Sequence, residues 1–242
     1  AHTRWATHGA KNDINSHPHS SMRGNIIVVH NGIITNFQEI KNFLIDNHYC
    51  FYSETDTEVI ANLIEYYLLE GNSISRAIEL AQKKMCGTWA LGIICSDEPD
   101  SVYITRHGSP LLLGYNDNLI ICSSEISGFT NLIYNYIILE NNDIIVIDNK
   151  GYTSKHLYKS NSLETTLESN SPSPFIHWTL KEIYDQPTSI VAACNNGARI
   201  LDNNIRLGGL SIMKNILESS KIEHLILLGC GTSSHACMLS KY

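Results

Sequence analysis

The sequence predicts an α+β protein followed by the opening of a separate α/β unit, and three observations carry that reading. Residues 36–85 place apolar side chains at helical spacing, residues 88–153 break into short β-rich runs between turn signals, and residues 155–173 form a polar stretch closed by Pro172 and Pro174.

The elements follow in order. Asn25 to His30 is a β-branched run, and Asn31-Gly32 after it reads as a strand ending in a turn. Asn36 to Asn47 carries Phe37, Ile40, Phe43 and Leu44 on one helical face. Asp56 to Glu70 repeats the pattern with Val59, Ile60, Leu63, Ile64, Tyr67 and Leu68, and Ile74 to Met85 is a third helix. Five strands are expected next, at Trp89–Cys95, Val102–Thr105, Leu119–Cys122, Tyr136–Leu139 and Asp143–Asp148. The domain boundary falls in a linker at 155–174, giving a first domain at 1–154 and the start of a second at 175–242. In the second, Leu180 to Ile190 is a helix interrupted at Pro187, 224–228 is an apolar strand, and Gly229 to His235 is a glycine loop that opens a helix.

Composition narrows the function. The chain of 242 residues is 43% hydrophobic and 17% charged, enough for one generous core. Runs such as Ile26–Val29 and Leu225–Leu228 are far shorter than the ~20 residues a membrane helix needs. A net charge of −7 without a basic run argues against nucleic acid as the main partner. The seven cysteines are scattered singly, which points to a reducing cytoplasm. Ala1 to Trp5 has neither an initiator Met nor a signal-peptide pattern and reads as a cut edge.

Several constellations could carry chemistry. Arg4, flanked by Thr3, Thr7 and His8, can clamp a carboxylate with two parallel hydrogen bonds, although a surface ion pair is the more ordinary explanation of a lone Arg. The Asn31 amide and the Gly32 N–H can form an oxyanion hole, or simply close a hairpin. Thr55 and Glu58 make a capping box, with Asp56 in the first helical turn free to bind an ammonium as well. His2, His8, His17 and His19 crowd together, but their spacing fits no common zinc pattern, so no metal is expected. Gly229 to Ser233 is either a phosphate cradle or an ordinary βα turn.

Taken in order, TRWATHG, HNGII, SETDTEV, LKEIYDQP, LGGL and CGTSSHA resemble the glutamine:fructose-6-phosphate aminotransferase family over essentially the whole chain. The first three motifs are similar to those of a class II glutaminase, and the resemblance implies an N-terminal-nucleophile fold, a four-layer αββα sandwich. KEIYDQP and CGTS resemble the start of a sugar isomerase domain, which other class II amidotransferases should lack. The implied reaction moves the amide nitrogen of glutamine to fructose 6-phosphate, giving glucosamine 6-phosphate and glutamate with no cofactor. A homodimer through the isomerase domain is implied too.

Position by position, the resemblance implies that Arg4 holds the glutamine α-carboxylate, Asp56 its α-amino group, and Thr7 and His8 line the pocket. Asn31 and Gly32 become the oxyanion hole, Trp5 an ammonia gate, and Thr232 and Ser233 sugar-phosphate contacts. The family's nucleophile is a Cys whose position falls ahead of Ala1, so no cysteine of this chain is assigned that role and the chain alone is expected to be inactive. The alternatives are another class II glutamine amidotransferase and a non-catalytic glutamine-binding module.

Overall fold

The structure, a computed structural model, describes residues 8–129, 132–163, 172–194, 200–201, 204–205, 224, 226–229 and 232–240. The chain separates into two compact units, Ala1–Asn170 and Ser171–Tyr242.

The first unit is built on two antiparallel sheets. One has the order β1 (His19–Ser20), β2 (Ile26–Ile34), β3 (Gly87–Cys95), β4 (Val102–His107), β8 (Ile144–Asp148) and β9 (Gly151–Thr153). The other runs β10 (Asn161–Ser162), β7 (Asn135–Ile138), β5 (Leu112–Tyr115) and β6 (Ile120–Ser123). Helices α1 (Phe37–Asp46), α2 (Asp56–Leu69) and α3 (Ile74–Lys84) cover one face of the first sheet.

Strand alternation sorts the core into layers. On the helix side, Ile26 and Val28 of β2, Leu91 and Ile93 of β3, and Tyr103 of β4 pack with Ile40, Leu44, Ile60, Ile64 and Ile78. On the opposite face Ala90, Ile104 and Ile145 meet Leu113 and Ile137 of the second sheet. Outside that sheet Leu112 packs with Phe129, from a 3-10 turn at Ile126–Phe129, and Ile133. This is an αββα sandwich whose outer layer is reduced, among the described residues, to that single turn.

Three expectations change here. β2 does not end at Asn31-Gly32 but runs through to Ile34, because β3 offers a partner at every step, Asn31 opposite Ala90 and Gly32 opposite Trp89. The capping box closes only halfway. Thr55 Oγ1 accepts from Glu58 N, but the Glu58 carboxylate takes Tyr52 N at 2.8 Å and Ser53 N at 2.7 Å instead of Thr55 N. The expected linker also starts too early, since Asn161 pairs with Tyr136 and the Tyr158 hydroxyl donates to Asp143. Four strands that the runs do not suggest, β1, β5, β9 and β10, are anchored by partners rather than by their own composition.

In the second unit, α4 (Trp178–Ala193) continues unbroken through Pro187. Proline removes one backbone donor, and here the helix goes on past it, with the Ser189 hydroxyl donating to Asp185 O in the following turn. The expected strand at 224–228 is not strand at its described residues, where Ile226 and Leu228 are exposed; without a paired neighbour an apolar run has no ladder to join. Helix α5 (Thr232–Leu239) does follow the glycine loop. A two-stranded ribbon, β11 (Ile200–Leu201) with β12 (Asn204–Ile205), completes the description.

Candidate active site

A cavity of about 710 Å³ opens between the two sheets beside the start of α2. Its walls come from β2 (Asn31, Gly32), the α2 start (Asp56, Thr57), the preceding loops (His8, His17) and the end of β6 (Cys122 to Glu125).

Asp56 is buried at the first position of α2, where the helix dipole favours its negative charge. Its Oδ2 accepts from the Ile34 N–H at 2.8 Å, and its Oδ1 lies 3.9 Å from His8 Nδ1. One carboxylate oxygen is thus committed to β2 and the other faces the cavity side. The α2 start is itself pinned. Ser53 Oγ donates to the Glu58 carboxylate at 2.7 Å, which commits its proton. Ser53 must then accept from Thr55 Oγ1, 3.1 Å away. Thr55 Oγ1 has only its lone pairs left for His19 Nε2 at 3.1 Å, so that nitrogen carries the proton.

His30 ties β2 to two neighbours. Its Nε2 faces the Thr88 carbonyl at 3.3 Å, which requires a proton there, and its Nδ1 accepts from the Thr57 hydroxyl at 3.1 Å. The His30 backbone N–H donates to His17 Nδ1 at 3.2 Å. Gly32 has φ +153°, and a Cβ built on it would lie 2.1 Å from the Thr88 carbonyl oxygen. Only glycine fits.

Asn31 is exposed to the cavity and its Nδ2 donates to Ser124 Oγ at 3.1 Å. Glu54 holds the loop that carries His8: its carboxylate accepts from Ala10 N at 3.1 Å and Asn15 Nδ2 at 3.2 Å. Those two bonds, the Ala10 N–H first, keep the Glu54 pKa below its usual 4.5. Cys122 lines the cavity, and desolvation pushes its thiol up to about 11.

A family profile described as a glutamine amidotransferase domain matches residues 2–131. The chain belongs to the glutamine amidotransferase family. Along 99% of its length it is 36% identical to the glutamine–fructose-6-phosphate aminotransferase [isomerizing] of Thermococcus kodakarensis, and along 100% it is 37% identical to that of Caldanaerobacter subterraneus. It spans 39% and 40% of those two relatives. A solved glutamine phosphoribosylpyrophosphate amidotransferase from B. subtilis superposes with a TM-score of 0.54 at 22% identity, covering 64% of this chain and 34% of that one, and shares the fold.

Within this amidotransferase domain, His8, Asn31, Gly32 and Asp56 surround one cavity. Arg4, Trp5 and Thr7 lie outside the described residues, as does the side chain of Thr232, while Ser233 is an exposed residue in the first turn of α5. The sequence marks His17 only within a histidine cluster and Thr57 only within SETDTEV, neither as a cavity residue, and it does not single out Thr88 or Ser124. No local pattern marks those last two, since each reaches the cavity from a separate element. Among the described residues no three metal-ligating side chains converge, and no helix is long and apolar enough to cross a membrane.

Proposed function

We propose that this chain is the glutamine-hydrolysing part, with the beginning of the acceptor-binding part, of a cytoplasmic enzyme that transfers the amide nitrogen of glutamine to fructose 6-phosphate. The observation that carries the reading is the meeting of a buried carboxylate, Asp56, with the Asn31-Gly32 donors at one cavity.

In this reading Asp56 Oδ1 takes the α-ammonium of glutamine, and Arg4 takes the α-carboxylate with Thr7 and His8 alongside. Backbone N–H groups alternate sides along a strand. Those of His30 and Ile34 leave β2 on the edge away from β3, toward His17 and Asp56, and the alternation assigns the Gly32 N–H to the same edge. With the Asn31 amide it supplies two donors for the oxyanion formed when a thiol attacks the carboxamide. Cys122 is not assigned as that thiol, since desolvation pushes it up, away from the thiolate that attack requires. The resemblance instead assigns attack to a cysteine ahead of Ala1, with Trp5 gating the released ammonia.

The second unit supports the choice of acceptor. The LKEIYDQP motif lies on α4, and Thr232 and Ser233 open α5, where a helix N-terminus favours a sugar phosphate. A homodimer through that domain is part of the same proposal. The test is the full-length gene product with glutamine and fructose 6-phosphate, assayed for glutamate and glucosamine 6-phosphate. Glutamate release with amination of phosphoribosyl pyrophosphate instead would overturn the acceptor; no glutamate release would overturn the glutaminase reading.

A further inference from the structure

We infer that Ser124 is a positioning residue that sets the orientation of the Asn31 amide for oxyanion binding, an inference that rests on the oxyanion role proposed for Asn31. The Ser124 hydroxyl is the hydrogen-bond partner of Asn31 Nδ2, at 3.1 Å and 93 residues away in the chain. The Asn31 side chain stands on the sheet-facing side of β2, and Ser124 follows β6 of the other sheet. A primary amide nitrogen carries two hydrogens. With one donated to Ser124 in this arrangement, the second hydrogen on the amide nitrogen remains for substrate. Without that acceptor the amide is free to rotate and to present its oxygen, a group that repels developing negative charge.

Ser124 can do this because its own loop is held. Ser123 Oγ donates to the Glu125 carbonyl at 2.7 Å and accepts from Glu125 N at 3.3 Å. A Cβ on Gly128 would lie 2.1 Å from Ser123 Oγ, so the turn closes tightly behind Ser124. Ser123 itself is paired to Leu112 of β5. The second sheet therefore holds Ser124, and Ser124 holds the catalytic amide of the first.

The experiment is a double-mutant cycle on the full-length enzyme, measuring kcat and KM for glutamine hydrolysis with thermal unfolding as a check on folding. Ser124→Ala should lower kcat by about tenfold while changing KM less than about threefold, since only a transition-state donor is disordered. Ser124→Thr should restore most of the rate. Ser124→Cys, nearly the same shape with a weak acceptor, should behave like Ala and covers the case of a misfolded Ala variant. In an Asn31→Ala background Ser124→Ala should cost nothing further. The inference fails if Ser124→Ala keeps the parental kcat, or if its loss persists undiminished without the Asn31 amide. If Asn31→Ala itself leaves kcat unchanged, the oxyanion reading falls and takes this inference with it; an Asn31→Ala loss without a Ser124→Ala loss overturns the Ser124 role alone.

Discussion

The Ile34 N–H donates to Asp56 Oδ2 at 2.8 Å, joining the strand that carries Asn31-Gly32 to the first residue of α2. The bond fixes the distance between the proposed oxyanion donors and the proposed ammonium site. It also occupies only one Asp56 oxygen, the other lying 3.9 Å from His8 Nδ1.

Replacing Asp56 by Asn keeps an acceptor for Ile34 and removes the charge. The KM for glutamine should rise about 10- to 100-fold, the range for a hydrogen bond to a charged group, with thermal stability little altered. Steady-state kinetics of the full-length enzyme decide it, and an unchanged KM would place the ammonium elsewhere.

Asn31→Asp exchanges a donor for a carboxylate facing developing negative charge. A loss of about 100- to 1000-fold in kcat is expected, the typical cost of one oxyanion donor, and repulsion should make Asp worse than Ala. Asn31 is exposed, so unfolding midpoints should stay near the parent. An Asp variant retaining about a third or more of kcat would contradict the role.

Gly32→Ala tests geometry instead of charge. Its Cβ would meet the Thr88 carbonyl at 2.1 Å, a backbone atom that cannot move without opening β2 from β3. Destabilisation of about 2–3 kcal/mol is expected in urea unfolding. A variant of parental stability would mean that β2 and β3 separate at this point without cost.

The Glu54 carboxylate gives an acid limit. Its pKa is lowered from 4.5 by the Ala10 N–H and then by Asn15, so its contribution to stability is complete above 4.5 and is lost as pH falls through the lowered value. Stability measured against pH should show an acid-side loss in the parent that is smaller in Glu54→Gln. Equal pH profiles would mean that Glu54 does not anchor the 8–15 segment.

Local patterns were legible because they are properties of neighbouring residues. The apolar spacing in 36–85 dictates amphipathic α1, α2 and α3, and Thr55 caps α2 through a bond three residues away. Motif order points to the family, and the motifs hold His8, Asn31, Gly32 and Asp56, which line one cavity.

What the sequence could not decide were choices between partners of similar local merit. Asn-Gly serves a hairpin turn or the middle of a strand, and the presence of β3 along all nine residues of β2 settled it. Glu58 had a local partner in Thr55 N, yet Tyr52 and Ser53 offered three hydrogen bonds to its carboxylate. Ser124 carries no sequence signal at all, because its importance comes from lying against Asn31 across two packed sheets. Periodicity is fixed by the rise of each backbone form, so it can be read along the chain; contacts between sheets depend on how the layers stack, and only the folded structure selects them.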